Sequence, residues 1–347
     1  MSGRNGNDLQ LGDCLSREEL RALSETTNWQ GGLMLAGNLL TLALAFVPAI
    51  RWPNPLTILM SVALIAGRQL AFAILLHDCA HNALFRSEVL NTLVGRWIGG
   101  AAVDVPLKLY RDYHLNHHKH AGTELDPDQG LVKDYPVTKE SLRRKFVRDL
   151  TGQTGFKELA LLWQNPTLAG KAPFIAFQIV LLSVLTLAGA PWAIALWWLA
   201  RIFVYPVIMR VRNIGEHGVA ADRYDTESRR NTHTTRPRWW ERPFVAPNHV
   251  NFHLEHHMFA AVPPYNLPRL HRLLSERGYY AGYDCVTEGY GNMLHKAVRA
   301  DGQTGCPPRA MVSGGACSTL LWTRNIQTAQ QSRHADGEFT VIGPVII

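Results

Sequence analysis

Apolar residues along this chain gather into four long runs, and polar residues fill the stretches between them. The first run, Gly31 to Ile50, holds no charge, and roughly twenty apolar residues cross a hydrocarbon core. The second, Leu56 to Leu76, is interrupted by Arg68 and Gln69. A helix from Leu56 to His81 would measure about 39 Å, longer than a core of about 30 Å, so its end projects beyond the bilayer. The third run, Ala172 to Ala190, meets the fourth, Pro191 to Arg210, at the uncharged turn Gly189-Ala-Pro191. Arg201 is a charge inside the fourth and needs a partner or a polar lining, while Trp192, Trp197, Trp198 and Tyr205 offer interface anchors. One such run is also what a buried helix of a large soluble protein looks like, but that alternative weakens with each repetition. The expected fold is an all-α membrane protein with four transmembrane helices, at about 31–50, 56–76, 172–190 and 191–210, in a domain over 31–300.

The remaining segments read differently. Ser16-Arg-Glu-Glu19 is a capping box that opens a short helix to about Glu25, in a cytosolic or interfacial segment over 1–30. Glu88 to Leu109 is broken by Arg96, Gly99, Gly100 and Asp104, which predicts an interfacial or re-entrant stretch rather than a span. Tyr110 to Lys171 is polar and rich in Lys and Arg. Residues 301–347 have no clear periodicity and are expected to form a poorly ordered tail without an assigned role.

Charge orients these elements. The short connections between spans carry Arg51 as their one basic residue, while the long middle and C-terminal segments are basic. The positive-inside rule places those segments and both termini in the cytoplasm. The net charge of +7 and pI of about 9.3 favour anionic partners. No recognition helix, zinc finger or aromatic RNA-binding strand appears, so nucleic acid is discounted. The five cysteines include no CxxC pair, which argues against a disulfide framework and a cysteine zinc site and fits a reducing compartment. No apolar core of a secretory signal opens the chain.

Histidine changes the picture from topology to chemistry. His114-Leu-Asn-His117-His118-Lys-His120 carries four histidines in seven residues. On a helix His114, His117 and His118 share one face, and neutral imidazole is the commonest metal ligand. His253-Leu-Glu-His256-His257 repeats the same spacing. His77-Asp-Cys-Ala-His81 and Asn213-Ile-Gly-Glu-His217 end the second and fourth spans. In this topology the nine histidines 77, 81, 114, 117, 118, 217, 253, 256 and 257 converge near one membrane face. A tetrahedral zinc takes four ligands, so nine suit two ions of coordination five or six. Imidazole serves iron, zinc, copper and nickel, and ligand type alone does not choose among them.

The boxes HDCAH, HLNHH and HLEHH, with Asn213 to His217 and the run PNHVNFHLEHHMFAAVPPYNLPRLHRLL from Pro247 to Leu274, resemble the integral-membrane fatty acid desaturase family over about residues 30 to 280. That resemblance implies a four-helix stem under a cytosolic helical cap, a di-iron centre between them, and O2-dependent oxidation of an unactivated C–H bond in an acyl chain. It assigns the nine histidines as ligands of two iron ions and gives Asn213 a water-mediated contact. Asp78, Asp112, Glu216 and Glu255 are candidates to accept the other imidazole N–H. His120, His233 and His249 border the boxes as outer-layer or solvent-facing groups, His271 packs or hydrogen-bonds in the trailing motif, and His295 and His334 stand apart from the chemistry. The three-residue gap in the first box differs from the four-residue gap of animal acyl-CoA relatives. No HPGG haem motif appears, so electrons are expected from a separate ferredoxin, or from cytochrome b5 with its reductase. Arg143, Arg144, Lys145 and Arg148 offer such acidic donors a dock, or else contact anionic lipid and set topology. Two other readings share the ligands: a hydroxylase or related oxygenase of an alkyl, sterol, sphingoid or carotenoid substrate, and a metal-binding membrane protein without redox turnover. A transporter of the latter kind would place polar ligands near the bilayer midplane, not at the ends of spans.

Overall fold

The computed structural model describes residues 9–132, 134–164 and 166–299. The expected tail over 301–347 lies outside the described residues. Ser16 caps helix α1 (Arg17–Leu23) as its sequence predicts: its hydroxyl accepts from the Glu19 N–H while the Glu19 carboxylate accepts from the Ser16 N–H. Thr27 caps α2 (Asn28–Arg51), and Asn54, followed by Pro55 in the first helical position, caps α3 (Pro55–Ala80). These two pack as an antiparallel hairpin. Next, a helix over Glu88–Val94, a π-helical turn over Gly95–Gly99 and a last turn over Gly100–Val103 lie along α3 and stop at Asp104, which is left-handed at φ 62°. This stretch is too short to cross a bilayer, in line with the interfacial reading.

The middle of the chain supplies α4 (Leu107–His120), α5 (Lys139–Leu150) and α6 (Gln153–Leu162). Then come α7 (Leu168–Leu187) and α8, continuous from Pro191 to Gly218 with π turns at Ala200–Val204 and Ile214–Gly218. Among the described residues, α2, α3, α7 and α8 are the helices long and apolar enough to cross a membrane. Their outer faces expose Leu33, Leu40, Leu44, Leu56, Leu59, Ile179, Val180 and Leu187, a belt that lipid covers and water would not. After α8, a short parallel pair, β1 (Thr234–Arg236) and β2 (Val286–Glu288), brackets α9 (His253–Met258) and α10 (Leu267–Glu276).

Helix α3 is the pillar. From Ile65 to Ala80 every residue is buried, because α2, α4, α8, the Gly95–Gly99 turn and the turn Arg242–Val245 pack around it. Glycines allow this closeness: a side chain at Gly99 would sit 2.7 Å from the Leu76 nitrogen.

Two charges within the spans have ionic partners. Arg201 reaches Glu158 of α6 at 3.1 Å, supplying the partner its position demands. Lys171 at the start of α7 pairs with Asp104 at 2.8 Å, both nearly fully buried. Arg68 is enclosed, donating to the Pro243 carbonyl at 2.6 Å and to Thr41 Oγ1 at 3.3 Å.

The Asp104–Lys171 pair yields a test of the stem. Lys171→Met strands a buried carboxylate and should cost about 3–5 kcal/mol, read as a lower melting temperature in detergent. Adding Asp104→Asn should recover most of that loss, whereas a double variant no more stable than the single one would show that the pair does not hold α7 in place.

Candidate metal centre

Four elements aim imidazoles at one volume. The end of α3 carries His77 and His81, α4 carries His114, His117 and His118, the last π turn of α8 carries His217, and α9 carries His253, His256 and His257. All nine histidines singled out in the sequence fall into two groups. His77, His81, His114, His118 and His256 form the first, and His117, His217, His253 and His257 the second, with ligand atoms in each group within 4.8 Å of one another. Adjacent residues on a helix are about 100° apart. Each HxxHH doublet therefore splits, so that His117 and His257 face one group while His118 and His256 face the other. The His118 and His257 rings stack at 4.3 Å across the boundary.

The donor set fits metal ions. Nε2 atoms meet at 3.0 Å for His256 and His118, 3.1 Å for His118 and His114, 3.0 Å for His253 and His217, 3.1 Å for His257 and His253 and 3.2 Å for His117 and His257. His77 and His117 each turn Nδ1 to a carboxylate, which leaves the lone pair on Nε2. Lone pairs facing each other this closely repel unless a cation lies between them. At a metal–nitrogen distance of about 2.1 Å, taken from zinc, such contacts subtend roughly 90–100°, nearer an octahedral than a tetrahedral angle. The Nε2 atoms of His77 and His81 are buried without a protein partner, as atoms awaiting an ion would be.

Electrostatics keeps the ligands in their donating form. Burial, reinforced by neighbouring positive groups, holds His114, His253, His256 and His257 well below the usual imidazole range. The same forces lower His118 to about 2 and His81 to about 4. His117 moves the other way: burial lowers it, but the carboxylates of Asp128 and Asp126 outweigh that and raise it.

A second layer fixes ring orientation. Asp78 Oδ1 lies 2.9 Å from His77 Nδ1. Asp126 Oδ1 lies 2.7 Å from His117 Nδ1, with Asp128 at 3.5 Å, and the Asn231 carbonyl takes His217 Nδ1 at 3.1 Å. Glu216 binds Arg212 at 2.6 Å and brings its other oxygen within 3.6 Å of His253 Nε2, on the ligand side of that ring. Asn213, Glu216 and Asp128 help line a cavity of about 20 Å³ beside the four-histidine group, room for about one water.

Other residues singled out in the sequence have partners elsewhere. Asp112 lies two residues before His114, on the opposite side of α4, where it pairs with Lys108 near solvent and reaches no imidazole of the centre. Glu255 accepts from His271 Nδ1 at 2.6 Å, Thr234 Oγ1 at 2.6 Å and the Tyr280 hydroxyl at 2.5 Å, so it locks α9 to α10 instead of orienting a ligand. No hydrogen bond among the described residues involves the His120 ring. His233 is buried against Thr287 at 2.8 Å, away from the ligand atoms. Sequence reasoning missed Asp126, Asp128 and the Asn231 carbonyl. Asp126-Pro-Asp128, in the turn just after the second box, was the available signal.

Asp126→Asn should weaken metal retention about 10- to 100-fold by removing the acceptor that orients His117, measured as metal left on the protein against a graded chelator. Asp112→Asn should leave retention unchanged. Equal behaviour of the two variants would show that the Asp126 contact does not tune the site.

Comparison with known proteins agrees with this architecture. The family model described as "Fatty acid desaturase" matches residues 50–287. An sn-1 oleoyl-lipid 12-desaturase of Synechocystis is 26% identical over 226 residues, 58% of this chain and 63% of its own length, so the chain spans less than two thirds of that relative. A dihydrorhizobitoxine desaturase of Bradyrhizobium elkanii is 25% identical over 310 residues, 81% of this chain and 85% of its own length. A human sphingolipid delta(4)-desaturase/C4-monooxygenase is 28% identical over 218 residues, 59% of this chain and 61% of its own length. The family match takes in more than half of the sequence, including every histidine of both groups, and the chain belongs to the fatty acid desaturase family.

Proposed function

We propose that this protein is an O2-dependent membrane desaturase that introduces a C=C bond into an acyl lipid, using two iron ions held by the five- and four-histidine groups. The observation that carries this reading is the division of nine imidazoles into two adjoining sets of five and four at the ends of spans α3 and α8. Bound iron would supply the one-electron and O2 chemistry needed to remove hydrogen from an unactivated methylene pair. The chain's own part is binding and orientation. His77, His81, His114, His118 and His256 would hold one ion, and His117, His217, His253 and His257 the other. Asp78, Asp126 and the Asn231 carbonyl fix ring tautomers, and Asn213 borders space for a water. Two hydrogens leave vicinal carbons; with two electrons and two protons from outside, O2 is reduced to two waters.

The electrons come, on this reading, from a separate acidic donor, a ferredoxin or cytochrome b5 with its reductase. Exposed Arg143, Arg144 and Arg148 on α5 are the proposed docking face, and Lys145 is half-buried beside them. The basic segments would lie on the cytoplasmic side with the active site and termini. A second reading, hydroxylation by the same ligands, draws support from the human and Caenorhabditis elegans relatives, whose names join desaturase with C4-monooxygenase. Ligands at the ends of the spans count against a transporter.

Purified protein should contain about two irons per chain, the number that nine ligands accommodate. His118→Ala and His256→Ala should each abolish O2-dependent product while the protein still inserts. A single zinc with no iron, or full activity in both variants, would overturn the reading. Mass spectrometry of lipids after expression with a reductant system decides the outcome: loss of two hydrogens marks a desaturase, gain of one oxygen a hydroxylase.

A further inference from the structure

Away from the metal centre, α2, α3 and the turn Arg242–Val245 line a cavity of about 400 Å³ that opens to the surface beside Leu44 and Arg242. We propose that it binds an oxyanion-headed acyl lipid, the anion on Arg68 and Arg242 and the chain along Leu44, Ala45 and Leu64. This lipid is separate from the reacting substrate, and the proposal stands whether or not the desaturase reading does.

Arg68 carries a charge that no carboxylate among the described residues offsets. Arg68 lies thirteen residues into α3, about 20 Å along a helix that crosses the membrane. It is 9% exposed, and its two hydrogen bonds go to neutral oxygens, the Pro243 carbonyl and Thr41 Oγ1. A guanidinium offers five N–H donors, so most of its capacity faces the cavity. Among the described residues neither Arg68 nor Arg242 forms an ion pair with a carboxylate. A buried cation at this depth is costly without a counter-charge. The same cavity receives His249, whose Nδ1 is buried without a partner and whose backbone is held left-handed at φ 63°. The neighbouring Asn248, also left-handed, pins this strained bend by bonding Asn38 on α2 and the Ala71 carbonyl on α3, both at 2.9 Å.

The rest of the lining names the ligand class. Leu44, Ala45 and Leu64 are apolar, and a mostly apolar pocket with a few convergent polar groups suits an amphiphile, not a free inorganic ion. Direction separates it from the substrate. Leu64 lies one turn from Arg68 toward the Pro55 end of α3, whereas His77 lies nine residues the other way, about 14 Å off. A chain that starts at Arg68 and follows Leu64 runs away from the metal ligands. The phosphate of an anionic phospholipid and the carboxylate of a free fatty acid share the required chemistry. In either case the anion braces the stretch from Pro243 to Asn248, which leads directly into His253.

The test uses the full chain in nanodiscs of phosphatidylcholine alone, with added phosphatidylglycerol, or with added oleate. Retained lipid is read by native mass spectrometry and stability by thermal melting. Wild type should keep one anionic lipid and melt higher with saturable dependence on it. Arg242→Gln, whose side chain makes no hydrogen bond among the described residues, should weaken retention at least about fivefold, as should Arg68→Gln where it folds. Arg272→Gln, exposed on α10, should change nothing. Selective retention of phosphatidylglycerol identifies a phosphate, and selective retention of oleate a carboxylate. Equal stabilisation by phosphatidylcholine, or undiminished anionic retention in Arg242→Gln, overturns the proposal.

Discussion

Seven imidazoles whose ring nitrogens meet at 3.0–3.2 Å, with His77 and His81 beside them, do not share one volume without positive charge between them. That constraint governs the rest of the structure. Burial disfavours the charged form of each ring, with only His117 held against it by carboxylates, and neutral rings present lone pairs. Protons cannot relieve the repulsion without paying for buried charge on several neighbouring rings, so the relief falls to metal cations. The fold's task is to hold four chain segments against that repulsion, which is why α3 is enclosed on every side from Ile65 upward and why α9 is tied to α10 through Glu255.

The spans serve the centre through their length. α3 outruns a hydrocarbon core of about 30 Å, so His77 and His81 emerge beyond the apolar belt while remaining on a rigid helix. α8 does the same for His217, with a π turn that inserts an extra residue and re-aims the last side chains. Rigid elements hold ligands to tighter tolerances than loops do, and here eight of the nine histidines sit within helices while His81 is the C-cap of α3.

How much of this the sequence disclosed follows from the range of the interactions. The histidine boxes were legible because ligand spacing is helix spacing: i, i+3 and i+4 share a face whatever the tertiary context. The four apolar helices were legible because bilayer thickness sets a minimum run. The orienting carboxylates were not, because adjacency in sequence is a poor guide to adjacency in space. Asp112 sits two residues from a ligand yet faces away, while Asp126, nine residues past His117, returns through a turn to meet it at 2.7 Å. The partner of Arg201 was equally hidden, since Glu158 belongs to a different helix and only packing brings the two together.

The doublets carry the last step. In HxxHH the two adjacent histidines diverge by about 100°, so one helix cannot send both to one ion at short range. It can send them to two ions on either side of its inner face. α4 and α9 both do this, with His117 and His257 on one side and His118 and His256 on the other. Each helix thereby spans both groups, and the stacked rings of His118 and His257 close the space between them. The spacing between the two sites is then a property of helix geometry rather than of any single contact, and altering one ligand disturbs both.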